Sequence, residues 1–441
     1  MFDATSRRRQ FLKSGGLLGA ASLLGCKSKA TALLAEQIKS SRIELPPEIK
    51  VIQSKEYGQK RIRQFQDGVK KAGLDAMILS NRCLDYVGYT SNYDPDSMEP
   101  AVVFIPAEGS DILFLQMYSS AHKRQAEKTI WIENIVDVPK DPVYETNSLN
   151  FYKEVANTLK DKKLTRGRIG FAGGEMDWIL PYYFKDQFPG LHMEDANRVL
   201  WSLIEVKDEV ELALMWFTAR VSDEVAVPLI EKLLVPGTMD KEVFNKVLYA
   251  MMEAGSDSPM LILGASPYSA GIWATPPLYR RIAHGDIVLC EPIINTPGNY
   301  QTERMYTFAV GKPSDFPESQ KRGAQVIYES YLIAFEAMKP GAELRAVYEK
   351  ANNYIKSKGY PGGSTVLIGH FIGRNNHEGG RINSEGTEGV ILKPGMVISW
   401  HPNVVVPGSG GVRTITSSCI LITEKGPQRM SKLPLEPMVY V

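Results

Sequence analysis

Residues 201–234 read WSLIEVKDEVELALMWFTARVSDEVAVPLIEKLL, and their reading decides the fold. Apolar residues recur at helical spacing through the stretch, so it predicts a long amphipathic helical run, stopped by Val235–Pro236–Gly237. A second helix, MDKEVFNKVLYAMMEAG (239–255), ends at Gly255. The character of the chain changes here. Upstream, a helical pattern from about residue 59 to 75 leads into the apolar strand DAMILS (75–80). AVVFIPAEG (101–109) and DILFLQM (111–117) read as two strands joined by a turn. TIWIENIVDVP, a helix at 150–161, RGRIGFAGG and a helix around 176–186 continue the alternation. That pattern is an α/β domain of about 160 residues with a mixed sheet. Downstream come the strands DIVLCEPII (286–294) and TFAVG (307–311), then helices over 318–338 and 342–357. The last 75 residues are strand-like and glycine-rich. Two long helix pairs, each followed by strands, suggest an internal pseudo-symmetry, though no sequence repeat accompanies it.

A chain of 441 residues is long for a single core, which favours two domains. Hydrophobic residues at 44% and charged residues at 23% describe a globular protein. Fifty-one basic and 50 acidic residues are scattered, so no basic patch marks a nucleic-acid partner. The N-terminus reads as an address. SRRRQFLK (6–13) precedes the apolar GGLLGAASLLG (15–25), whose 11 residues are too few to span a bilayer. Residues 8–13 resemble a twin-arginine export signal, and Leu23–Leu24–Gly25–Cys26 resembles a lipobox. Residues 1–25 are then a signal peptide, 26–45 a tether, and Cys26 a lipid anchor at the periplasmic face of a membrane. Removing residues 1–25 leaves 47 basic and 49 acidic residues and three cysteines besides Cys26: Cys83, Cys290 and Cys419. These lack a CxxC spacing and read as free, buried thiols.

The chain has six histidines, and His370, His377 and His401 fall within 32 residues of one another. Two stand in IGHFIGRNNHEGG (368–380), among glycines. Imidazoles gathered with carboxylates serve as metal ligands or acid/base groups.

Taken in order, IEVKDEVELALMWFTA, VPGTMDKEV, HGDIVLCEP, Tyr306–Thr307–Phe308, GHFIGRNNHE, LKPGMVISWHP and GVR before ILITEKG resemble the creatinase/aminopeptidase P/prolidase superfamily. LDYVGYTSN (84–92) is similar to its N-terminal hairpin. The resemblance implies an α/β N-terminal domain (46–200) plus an α+β pita-bread catalytic domain (201–441), and commonly a homodimer. Relatives hold two divalent ions, commonly Mn, Co, Zn or Fe, with two aspartates, a histidine and two glutamates. Carried over by position, the aspartates fall on Glu291 and Glu303, the histidine on His370 and the first glutamate on His401. The second glutamate falls on Ser417, or on Ile415 if the loop carries an insertion. His377 and Glu378 match the His–Glu pair that faces substrate, and Arg413 matches a substrate-facing arginine.

A bridging carboxylate is therefore missing and another ligand is neutral. Two dications packed about 3.5–4 Å apart would face only two carboxylates. The expectation is one ion (Zn, Fe, Mn or Co) on Glu303, His370 and His401, with Glu291 as a fourth ligand or as a hydrogen-bonding neighbour, and no organic cofactor. Metal-free chemistry as in creatinase is the alternative, but its base histidine would fall on Thr275. The function expected is hydrolysis of a C–N bond in a short peptide, amide or amidine. A lyase, or a non-catalytic binding protein on the same scaffold, remains open.

Overall fold

The structure is a computed structural model that describes residues 43–80, 86–93, 101–115, 120–139, 148–173, 179–266, 279–296, 298–364 and 367–441. The export segment, Cys26, Cys83 and Thr275 lie outside these residues, as do 84–85; the rest of the segment expected as a hairpin over 84–92 contains a short helix, Gly88–Ser91, in place of paired strands.

Helix α1 (Glu48–Ile52) leads into α2 (Lys55–Lys71). Ser54 caps α2 by accepting the Tyr57 amide at 3.2 Å. Tyr57, Arg61, Phe65 and Val69 follow at four-residue spacing and form its buried stripe. Gly58 lies on that face against Trp131, where a Cβ would sit 2.1 Å from the indole Cγ. Strand β1 (Ala76–Ser80) and the short helix α3 (Gly88–Ser91) follow. Next come β2 (Ala101–Pro106), β3 (Ile112–Leu115), α4 (Ser120–Thr129), β4 (Asn134–Asp137) and α5 (Ser148–Asp161). Strand β5 (Arg168–Ala172), α6 (Ile179–Gln187) and β6 (His192–Asp195) complete the first part. Its six strands lie in the order β4-β3-β2-β1-β5-β6. Strands β1, β2 and β3 pair antiparallel, whereas β3–β4, β1–β5 and β5–β6 are parallel, so the sheet is mixed as its pattern predicts. Helices α5 and α6 cover one face through Phe151, Leu159 and Phe184.

The run from 201, which the pattern predicts as one long helix, is broken. Helix α7 (Asn197–Ile204) ends, and α8 (Glu209–Val221) begins after four residues. Val206 there pairs in extended form with Met396. Asp208 is extended and caps α8, accepting the amides of Val210 and Glu211 while Glu211 returns to the Asp208 amide. An aspartate at this place gains more as a cap than as an interior residue. After α8, residues Ser222–Ala226 form a π-turn that runs into α9 (Val227–Leu233). Pro228 lacks the amide that a regular turn would need, and the wider turn accommodates it.

Helix α10 (Asp240–Glu253) precedes β7 (Met260–Ala265), β8 (Ile287–Asn295), β9 (Gln301–Glu303) and β10 (Tyr306–Ala309). Helices α11 (Glu318–Ala337) and α12 (Leu344–Ser357) form the second pair. After them come β11 (Gly369–Phe371), β12 (Glu378–Ile382), β13 (Val397–Trp400), β14 (Asn403–Val405), β15 (Arg413–Ile415), β16 (Ser418–Thr423), β17 (Gly426–Arg429) and β18 (Val439–Tyr440). Two sheets result, one in the order β18-β10-β8-β7 with β9 on β8, the other β12-β11-β13-β16-β17. Each follows a helix pair, which is the layout the sequence suggests.

Residues Glu44–Val441 form one unit by their contacts. One apolar core runs from Phe65 and Val69 of α2 through Leu200 and Ile204 of α7 to Val397 and Leu421. A second holds α11 and α12 against β11, β13 and β16 through Tyr331, Val347, Phe371 and Trp400. Among the described residues no helix is long and apolar enough to cross a membrane.

Candidate active site

Strand β8 is buried along its whole length and carries Glu291. Its neighbour β9 ends on Glu303, which lies opposite Ile293. Glu291 is two residues from Ile293, so both carboxyls share one face of the hairpin. In the other sheet His370 of β11 lies opposite Ser399 of β13, and His401 directly follows that strand. The two sheets thereby bring Glu303, His370 and His401 together, with one ligand-type atom of each within 4.8 Å of the others. All three are buried.

His370 Nε2 lies 2.9 Å from Glu303 Oε1. Its Nδ1 lies 3.1 Å from the Phe371 carbonyl. A carbonyl only accepts, so Nδ1 carries hydrogen and Nε2 is turned toward the carboxylate. The Ser399 hydroxyl donates to the same Oε1 at 2.5 Å. Burial works against ionisation of Glu303, but the imidazoles of His370 and His401 and the Ser399 hydroxyl hold its carboxyl down to about 2. Glu291 goes the other way: burial first, then the charge of Glu303, push its carboxyl well above the usual range. Burial and the neighbouring His370 push His401 down to about 3 and His377 to about 4. Glu303 is thus held ionised and His401 neutral, the protonation states in which such groups bind a divalent ion. These three side chains thus fit one such ion.

His377 stacks on His370 with ring centroids 3.8 Å apart, so one face of its ring is shielded from water although the residue as a whole is the exposed member of the group. Glu378, the next residue and the first of β12, faces elsewhere. Its buried carboxylate accepts from Lys207 Nζ at 2.7 Å, from the Tyr89 hydroxyl and from the Asn375 amide at 3.2 Å. The Tyr89 hydroxyl also accepts the Arg374 amide at 2.9 Å, which ties the 373–378 loop to α3. Glu378 is therefore not among the groups that converge. Arg413 Nη1 donates to Asn403 Oδ1 at 2.9 Å, and Asn403 Nδ2 to the His401 carbonyl at 3.2 Å, so Arg413 is linked to the cluster through Asn403. Ile415 packs in an apolar core with Ile287 and Leu289, away from any ligand role. Cys290 and Cys419 are free and buried. Cys419 donates its thiol to the Glu303 carbonyl at 3.3 Å.

Sequence reading missed Ser399, Lys207 and Tyr89. Ser399 stands two residues before His401, on the same face of β13, and that spacing was its one signal. Lys207 and Tyr89 are distant in sequence from Glu378, and their one signal was their place in IEVKDEVE and LDYVGYTSN, two of the segments that carry the resemblance.

Residues 213–424 match the family profile described as Metallopeptidase family M24, and residues 61–203 match the Creatinase/Prolidase N-terminal domain. The chain belongs to the creatinase/prolidase superfamily of M24 peptidases. It is a hydrolase of that superfamily, with the N-terminal domain and pita-bread catalytic domain of the fold. It is similar to an Xaa-Pro dipeptidase of Pyrococcus furiosus, 27% identical over 264 residues that cover 60% of this chain and 73% of that protein. In structure it resembles the prolidase from Pyrococcus horikoshii OT3, with a TM-score of 0.69 and 22% identity over 86% of this chain and 99% of that one. The N-terminal domain of the FACT complex subunit SPT16 from Cicer arietinum shares the fold too, with a TM-score of 0.66 and 13% identity over 86% of this chain and 97% of that one.

Proposed function

We propose that this M24 hydrolase cleaves a C–N bond in a short peptide or small amide with one divalent ion held by Glu303, His370 and His401. The observation that carries the proposal is the convergence of three ligand-type atoms within 4.8 Å in a buried site. Two imidazoles and one carboxylate suit Zn, Fe, Mn or Co and leave room for water and substrate. When bound, the ion would polarise a carbonyl and lower the pKa of a water molecule. Ser399 and the Phe371 carbonyl fix the ligand orientations. Glu291 keeps its proton beside Glu303. His377, neutral and at the open side, is the group that exchanges a proton with the leaving nitrogen. Glu378, Lys207 and Tyr89 hold the loop that presents it, and Arg413, half-buried and hydrogen-bonded to Asn403, is the cation to meet a negative end of the substrate. The similarity to Xaa-Pro dipeptidases makes peptides with proline second the first substrates to try.

The test is turnover of glycyl-proline and of small amides by protein purified without chelator. Activity lost with chelator, restored by one metal and abolished in His377→Ala supports the proposal. Chelator-resistant turnover would instead favour the metal-free reading, in which the 2.9 Å contact of His370 with Glu303 is an acid–base pair. Absence of turnover on any of these substrates would favour a binding protein on the same scaffold.

The address is also a proposal. We propose export of the folded chain and lipidation of Cys26, supported by residues 6–26. Loss of membrane association in Cys26→Ser, read by fractionation, tests it. A homodimer, expected from the superfamily, is checked by light scattering.

A further inference from the structure

Ser417 stands directly opposite His401. Strand β13 pairs Trp400 with Ser418, and β14 pairs Asn403 with Ile415. Between these pairs the Thr416 amide donates to the Pro402 carbonyl at 3.4 Å. One register therefore runs through the corner where the chain passes from one sheet to the next. Residues opposed in an antiparallel pair project from the same face. Along both strands that face meets Glu303. Ser399, two residues before His401, donates to Glu303 Oε1, and Cys419, two residues after Ser417, donates to the Glu303 carbonyl.

Ser399 and Cys419 are thus hydrogen-bonded, but Ser417 is not. It is 1% exposed, and its hydroxyl has no hydrogen-bond partner among the described residues. A buried hydroxyl without a partner is disfavoured, and native structures keep few of them. Charge gives the second argument. Glu303 is the one carboxylate among the three converging side chains. A dication among them leaves a buried excess of positive charge, which an anionic ligand relieves.

We infer that Ser417 is a substrate-contacting residue whose hydroxyl donates to a ligand carboxylate lodged beside His401. Amide hydrolysis by water yields one carboxylic acid and one amine, so the acid product belongs to this class of ligand. The inference rests on the single-ion reading above.

The test uses the full chain loaded with Co(II), whose visible absorption reports its ligands, titrated with acetate and with neutral acetamide. Acetate is expected to perturb the spectrum saturably in wild type and in Ser417→Thr. In Ser417→Ala its affinity is expected to fall about tenfold, as for a lost hydrogen bond to a charged group. Acetamide is expected to do nothing at the same concentrations. Cobalt content should be equal in all three proteins, and Ser417→Ala should melt no lower than wild type, since it removes an unsatisfied hydroxyl. Equal acetate affinity in Ser417→Ala, or an equal effect of acetamide, overturns the inference while leaving the single ion in place. Failure of cobalt to bind overturns the single-ion reading and this inference with it.

Discussion

Lys207→Met tests the clasp behind the active-site loop. The side chains of Lys207 and Glu378 are 1% and 0% exposed, and their charged atoms lie 2.7 Å apart. Lys207 Nζ also donates to the Ile204 carbonyl at 2.6 Å. Methionine keeps the length of the stem and removes both bonds and the charge. Breaking one side of a buried ion pair costs about 3–5 kcal/mol, because the remaining charge is left in a medium that cannot solvate it. Glu378 retains the Tyr89 hydroxyl and the Asn375 amide, so the lower part of the range, about 3 kcal/mol, is expected. In Lys207→Met/Glu378→Gln the stranded charge is gone and the amide oxygen still accepts, which leaves a loss of about 1–2 kcal/mol. The pair should therefore couple by at least about 1 kcal/mol in a double-mutant cycle. Urea unfolding followed by far-ultraviolet circular dichroism measures each variant. A loss under about 1 kcal/mol for Lys207→Met, or a double variant no more stable than that single one, would refute the reasoning.

Three further outcomes are expected. In Gly373→Ala the new Cβ would lie 2.5 Å from Lys207 Cε and 2.6 Å from both Glu378 oxygens. Overpacking of this kind costs about 1–3 kcal/mol, and urea unfolding should show it. Ser399→Ala removes a hydrogen bond to Glu303 and should weaken zinc binding about 10–100-fold in a competition titration with a chromophoric chelator. Burial pushes Asp111 up to about 8, against the hydrogen bond from Gln66. Its folded value is raised above the unfolded value of about 3.9, so its contribution is full below about pH 4 and lost as pH rises through about 8. Stability should therefore fall with a contribution of up to about 1.4 kcal/mol per pH unit in that window. Asp111→Asn should flatten the slope, and identical slopes for the two proteins would contradict the assignment.

Much of the fold was legible because periodicity reports burial. The stripe Tyr57–Arg61–Phe65–Val69 and the mostly apolar run of β8 declare a helix face and a buried strand without any tertiary knowledge. The break at residues 205–208 was not legible, because Val206 and Asp208 fit a helical pattern locally and leave it for a bridge to Met396 and a cap. For the site, the histidine cluster near the C-terminus pointed to strands that the fold brings together with Glu303. What sequence could not supply was the direction of each side chain. His377 and Glu378 are adjacent, yet one stacks on His370 and the other is bound by Lys207 and Tyr89. Ser417 and Ile415 were equivalent by counting, and the pairing of β14 with β15 separates them by putting Ile415 opposite Asn403.

Metal content by mass spectrometry, on protein purified without chelator and on His401→Ala, bears most directly on the central claim. About one divalent ion per chain in the wild type, and a large loss in the variant, is the predicted result. Two ions per chain, or content unchanged by removal of the His401 imidazole, would contradict it.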